Sequence, residues 1–216
     1  MMKPIDSFQT ILGRVFLSIS EINIKIEKKE NRFLIHTKAH KIEIIAFQEI
    51  KDWMDLTDFK ILDSKGWIFR IWKINHSNEK LDFKCLIDKN TEGIYSGPDC
   101  GQHLDSYCFE NDEFTLNIGT EDCEVMKNRA INEDWIPKRF KDKLDYKKLD
   151  NGELLYQTFT DIVDSGLKMN VPPLEKDEKF YFHFLVAIGK NNGKISTELA
   201  VDFPKEILLK NLNIQE

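Results

Sequence analysis

Two stretches of this 216-residue chain are apolar on nearly every residue. Residues 66–74 read Gly-Trp-Ile-Phe-Arg-Ile-Trp-Lys-Ile, and residues 180–188 read Phe-Tyr-Phe-His-Phe-Leu-Val-Ala-Ile. Successive side chains of a strand point to opposite faces. A segment apolar on both faces therefore argues a central strand, or one covered on both sides. Neither stretch approaches the ~20 apolar residues that a membrane-crossing helix needs. The same kind of core strand is used twice, and it sets the fold class.

Half-buried strands surround these two. Ile22, Ile24 and Ile26 alternate with Asn23, Lys25 and Glu27, and Phe33 and Ile35 resume the apolar face after a turn at 28–31. A third strand is predicted over 40–45. Ile11, Val15, Leu17 and Ile19 suggest an opening strand, with Gly13 marking a bulge or a close backbone approach. Leu81, Phe83, Cys85 and Ile87 alternate cleanly after a turn at 75–78, which predicts a hairpin over 67–87. Residues 88–103 read as a loop. A further hairpin runs from Tyr107 and Phe109 through Asn111-Asp112 to Phe114, Leu116 and Ile118. Asn191-Asn192-Gly193 predicts a last hairpin, with Ile195, Thr197, Leu199 and Val201 on the return strand.

Three- and four-residue spacing of apolar residues predicts short helices near 47–56 (Phe47, Ile50, Trp53/Met54), 138–148 (Phe140, Leu144), 152–164 (Leu155, Phe159, Ile162, Val163) and 204–212 (Ile207, Leu208, Leu212). Gly166 sits where the third of these would end, and Pro137 and Pro204 open the second and fourth. The expected fold is α+β: a mainly antiparallel sheet of about 9–11 strands, as one curved sheet or two packed sheets, with three or four short helices. No flexible Gly/Ser linker divides the chain, so residues 1–216 are read as one domain. The polar junction near 125–150 is the place for any subdivision.

At 41% hydrophobic and 31% charged residues the composition is that of a globular protein. The net charge of -6 is unevenly spread. Residues 88–134 hold 12 acids and 3 bases, while residues 135–151 hold 3 acids and 6 bases. A concentration of carboxylates repels a phosphate backbone, which argues against nucleic acid as a partner and for a basic protein. The chain start lacks the apolar core of a signal peptide, so the expectation is a cytoplasmic protein. Its four cysteines, sparse for this length, are then reduced thiols. Cys85 is expected to be buried and inert.

One cluster resembles a metal site in spacing. Cys100, His103, Cys108 and Cys123 form C-x2-H-x4-C-x14-C. Structural zinc sites show tight pairs at both ends, and here only one end is tight. Cys108 also falls inside a predicted strand. No metal and no cofactor is expected, and a disulfide from Cys100 to Cys108 or Cys123 is the alternative to unlinked thiols. None of the common phosphate-binding, nucleophile-elbow or metalloprotease motifs is present.

The leading expectation is a non-catalytic interaction module, an acidic inhibitor or immunity-type protein that binds a basic protein. The analogy is one of charge and size. The candidate contact residues are Trp135, Tyr107, Asp105, Glu110 and Asp112, with Trp135 as an exposed anchor at the acidic-to-basic junction. A second expectation is an uncommon hydrolase-like enzyme using Cys100/His103 or His183. It requires a concave pocket around one of them. A third is a structural or assembly component that self-associates through an apolar patch.

Overall fold

The computed structural model describes residues 2–20, 24–48, 50, 61–89, 93, 95–100, 104–148, 154–191 and 194–215. It is an α+β fold of two antiparallel sheets with short helices. Fifteen strands are present among the described residues, more than the pattern suggested, because several are only four or five residues long.

One sheet has the order β1-β2-β7-β14-β13, from Lys3–Gln9 (β1), Gly13–Ile19 (β2), Asp82–Lys89 (β7), Gly166–Asn170 (β14) and Thr160–Val163 (β13). The other has the order β3-β4-β5-β6-β15-β10-β9-β8. It is built from Lys25–Lys29 (β3), Arg32–His36 (β4), His40–Phe47 (β5), Ile61–Lys73 (β6), Lys179–Lys190 (β15), Phe114–Glu121 (β10), Leu104–Glu110 (β9) and Tyr95–Cys100 (β8). Asp145–Lys148 (β11) and Leu154–Gln157 (β12) pair as a separate ribbon.

The two doubly apolar stretches are the centre of the larger sheet. β6 and β15 pair along almost their whole length, with Phe182 opposite Phe69 and Phe184 opposite Trp67. Even-numbered residues of β15 (Phe180, Phe182, Phe184, Val186, Ile188) enter the core between the sheets, where they meet Val15, Leu17, Phe83, Cys85, Leu167 and Met169 of the smaller sheet. The Phe69 and Phe182 rings stack with centroids 4.1 Å apart. Odd-numbered residues (Tyr181, Leu185, Ala187) enter a second core beneath two helices, Lys194–Val201 (α2) and Lys205–Asn211 (α3). These contribute Ala200, Val201, Leu208 and Leu209. A layer on each face is why the run tolerates no polar alternation. Gly119 of β10 permits the close approach of α2, since a Cβ there would lie 2.8 Å from the Val201 side chain.

Several local expectations change. Residues 67–87 do not form a hairpin: β6 and β7 lie in different sheets, so the turn at 75–78 carries the chain across the sandwich. The loop at 88–103 contains β8, an edge strand that accommodates Pro98 because an edge needs no second row of hydrogen bonds. The helix expected over 152–164 is replaced by β12 and the β13–β14 hairpin, where Phe159 packs on the Phe140 and Phe180 rings. Gly166 opens β14 at φ +155° rather than ending a helix. Over 138–148 only a 3-10 helix forms, Lys138–Lys143, before β11. Phe47 ends β5, and the remainder of the helix expected near 47–56 lies mostly outside the described residues. The return strand expected at 195–201 is α2, and the α3 expectation holds.

The junction read as polar contains a helix, Cys123–Ile131 (α1). The Asp122 side chain caps it by accepting from the Val125 N–H at 2.9 Å. Met126, Ala130, Ile136, Phe140 and Leu144 from this segment join the main core. Among the described residues no helix is long and apolar enough to cross a membrane.

Candidate functional site

The acids of residues 88–134 divide into two populations. One is spent inside the molecule. Arg129, in the last turn of α1, donates to the Glu121 carboxylate and to the main-chain carbonyls of Asp134 (3.2 Å) and Tyr181 (3.4 Å). Its guanidinium also lies 4.7 Å from the centre of the Tyr181 ring. Lys205, fully buried at the start of α3, donates to the Asp134 carboxylate. Glu121, Arg129, Asp134 and Lys205 therefore form a chain of alternating charge in which only Asp134 is partly exposed, the arrangement that makes burying ions tolerable. Glu133 and Trp135 adopt left-handed backbone angles (φ 56° and 57°) on either side of Asp134. The turn sets Asp134 between the two cations, and the Trp135 carbonyl accepts from the Tyr181 N–H at 3.0 Å. Each left-handed non-glycine residue costs roughly 1–2 kcal/mol.

The other population is on the surface. The β9–β10 turn presents Asp112 and Glu113 exposed and Glu110 partly exposed. No ion pair among the described residues involves Asp112 or Glu113. Asn111 shapes the turn by accepting from the N–H groups of Glu113 and Phe114.

The five residues singled out from the sequence do not share one surface. Glu110 and Asp112 stand at the hairpin tip. Tyr107 is in the core, and Trp135 is packed rather than exposed. Trp135 meets Trp72 edge-on at 5.4 Å, with the Lys179 ammonium 4.5 Å above its ring. Asp105 is half-buried on β9. Burial and the nearby Asp122 charge push its carboxyl up to about 7, against a lowering hydrogen bond from Thr158. At neutral pH it carries only part of a charge. Arg139, four residues on from Trp135, is tied to Glu178 by two hydrogen bonds of 2.9 and 2.6 Å.

The side chains of Cys100 and His103 lie outside the described residues. Cys108 is buried in β9 and Cys123 is buried at the start of α1. Among the described residues no group of three His, Cys, Asp or Glu could hold a metal ion. Burial pushes the Cys85 thiol well above its usual range, in keeping with an inert core residue.

His183 is buried. It lines a cavity of about 170 Å³ at the end of β10 remote from the hairpin tip, together with Leu104, Thr120, Glu121 and Val125. Burial and the Arg129 charge push its imidazole down to about 3, so it is neutral at neutral pH. Its Nδ1 lies 3.4 Å from the Tyr181 hydroxyl. Sequence reasoning singled out His183 but passed over Glu121, Arg129, Asp134 and Lys205. The capping aspartate at 122, followed by Met126 and Ala130 four residues apart, is the signal that would have revealed α1 and with it the inward side of Arg129.

No family model and no curated protein matches this sequence. A solved structure assigned as a kojibiose phosphorylase from human microbiome overlaps 91% of this chain at 11% identity, with a TM-score of 0.38. The chain spans 22% of that protein's length. At that score the likeness bears on neither fold nor function.

Proposed function

We propose that this protein is a non-catalytic interaction module that binds a basic protein through the acidic tip of the β9–β10 hairpin. The observation that supports the reading is the exposure of Asp112 and Glu113 beside Glu110, with no cation among the described residues paired to the first two. Their neighbours in the same acidic stretch, Glu121 and Asp134, are neutralised internally by Arg129 and Lys205. The β9–β10 turn therefore offers a cationic partner adjacent exposed carboxylates that no cation among the described residues pairs. Inhibition of that partner, in the manner of an immunity protein, and a cytoplasmic setting belong to the same reading.

The experiment is capture of partners from source-cell lysate at low salt, repeated at about 0.5 M salt, where screening shortens the reach of surface charge to a few ångströms. The expected result is one basic protein retained at low salt and released at high salt. It should be absent when the bait carries Glu110→Lys, Asp112→Lys and Glu113→Lys together. Retention of the same protein by the triple variant would sink the reading.

A hydrolase-like enzyme is the second reading, and the observation that favours it is the shared cavity of His183 and Glu121. Against it, an imidazole held near 3 is too weak a base for proton abstraction at neutral pH. A general hydrolase screen comparing wild type with His183→Gln tests it. Activity that disappears in the variant would displace the interaction reading.

A further inference from the structure

The cavity at the end of β10 has an unfinished floor. Glu121 is 4% exposed. Arg129 occupies its Oε2, but its Oε1 has no hydrogen-bond partner among the described residues. The neighbouring Thr120 Oγ1 is likewise buried and unpartnered, and both residues line the cavity. A buried acceptor without a donor costs about 1–3 kcal/mol, more when it is charged, so this site favours an occupant that donates hydrogen bonds.

The walls specify the rest. Leu104, Val125, Val201, Phe203 and Pro204 are apolar. The charged side chains in the lining are Glu121 and Asp202, both acidic, with no Lys or Arg among them. His183 brings no positive charge, because it is held neutral. A volume of about 170 Å³ holds roughly half a dozen non-hydrogen atoms at interior packing density. A metal ion would need a third ligand that the described residues do not supply.

We propose that this cavity binds a primary alkylammonium group, the ammonium donating to Glu121 Oε1 and Thr120 Oγ1 and the alkyl chain lying against Leu104, Val125 and Val201. An ammonium supplies three donors for the two unpartnered oxygens, and its charge meets Glu121 and Asp202 while Arg129 stays on the other oxygen of Glu121. An alcohol supplies one donor and no charge, and a carboxylate is repelled. The group belongs either to a free amine or to a lysine side chain. The site stands apart from the hairpin tip, so it does not depend on the reading above.

The test is titration of the intact protein with n-butylammonium and with Nα-acetyl-lysine N-methylamide, followed by calorimetry and by the imidazole nitrogen resonances of His183. n-Butanol and butyrate are the controls. Saturable binding of either amine is expected, at least about tenfold tighter than butanol, with none from butyrate. Binding of the lysine derivative alone assigns the source to a protein. Glu121→Gln should weaken the amine about tenfold or more. Because that change also disturbs Arg129, Val125→Phe provides the second variant: it fills the cavity from the half-buried rim while keeping both members of the ion pair, and it should abolish binding while the protein melts cooperatively. Failure of both amines to saturate, equal binding of butanol, or unchanged binding in Val125→Phe would overturn the proposal. A cavity occupied only by water gives the first of these results.

Discussion

Asp105 and His183 should make opposite and nearly cancelling contributions to the pH dependence of stability. Asp105 has its carboxyl raised to about 7 in the folded protein, against about 3.9 when unfolded. The folded state thus holds a proton that the unfolded state releases. Its contribution is fully present below about pH 4 and is lost as pH rises toward 7. His183 is lowered to about 3 from 6.5, so the unfolded state takes up a proton that the folded state cannot. Its contribution is fully present above about pH 6.5 and is lost as pH falls toward 3. Between about pH 4 and 6.5 each group imposes a slope of about 1.4 kcal/mol per pH unit, with opposite signs. Asp105→Asn removes the falling slope. Relative to wild type, the variant should gain about 2.4 kcal/mol between pH 4.5 and 6.5. His183→Gln should shift the balance the other way by a similar amount. Urea unfolding followed by tryptophan fluorescence at constant ionic strength measures both. Carboxylates lowered by their partners, such as Asp6, Glu79 and Glu178, lose stability on acidification in every variant and drop out of the difference. Parallel curves for Asp105→Asn and wild type across this window would show that the Asp105 carboxyl is solvated, and the reasoning would fail.

Other perturbations probe the fold directly. Phe182→Ala removes a fully buried ring stacked on Phe69 and should cost about 3–5 kcal/mol in urea unfolding. Arg129→Met leaves the Glu121 and Asp134 carboxylates without their guanidinium and should cost about 3–5 kcal/mol, with a Tm drop visible by calorimetry. Gly166→Ala places a Cβ 2.1 Å from the Cys85 carbonyl at a φ that disfavours side chains. Amide exchange should show the β7–β14 pairing loosened first. The triple lysine change at residues 110, 112 and 113 lies on an exposed turn and should move stability by no more than about 0.5 kcal/mol, which separates its effect on binding from misfolding.

Strands whose environment follows from their own pattern were legible. β4 and β7 alternate because one face is wet or lightly covered, and that face is written in the residues themselves. Where four to eight residues satisfy two periods at once, the pattern does not choose. Ile195, Thr197, Leu199 and Val201 alternate, yet the chain there is helical: Thr197, Ala200 and Val201 are buried while Leu199 remains 41% exposed. Phe159, Ile162 and Val163 have helical spacing, yet the Ser165–Gly166 turn folds this segment back as a hairpin, and Ile162 stays 40% exposed. The site residues were less legible still. Arg129 and Lys205 look like surface cations until α1 and α3 are seen to turn them inward onto Glu121 and Asp134. Trp135 looks like a surface anchor until Trp72 and Lys179 close over it.

Local patterning therefore determined that this chain is an antiparallel α+β protein whose two richest strands, β6 and β15, are covered on both faces. That much depends only on alternation and on the cost of exposing apolar surface. Tertiary structure alone decided that β6 and β7 belong to different sheets, which acids are neutralised and which are offered to solvent, and that Glu121, Thr120 and His183 meet at one cavity. Those outcomes rest on contacts between residues tens of positions apart, and the burial of a charge depends on the partner that reaches it rather than on its neighbours in sequence.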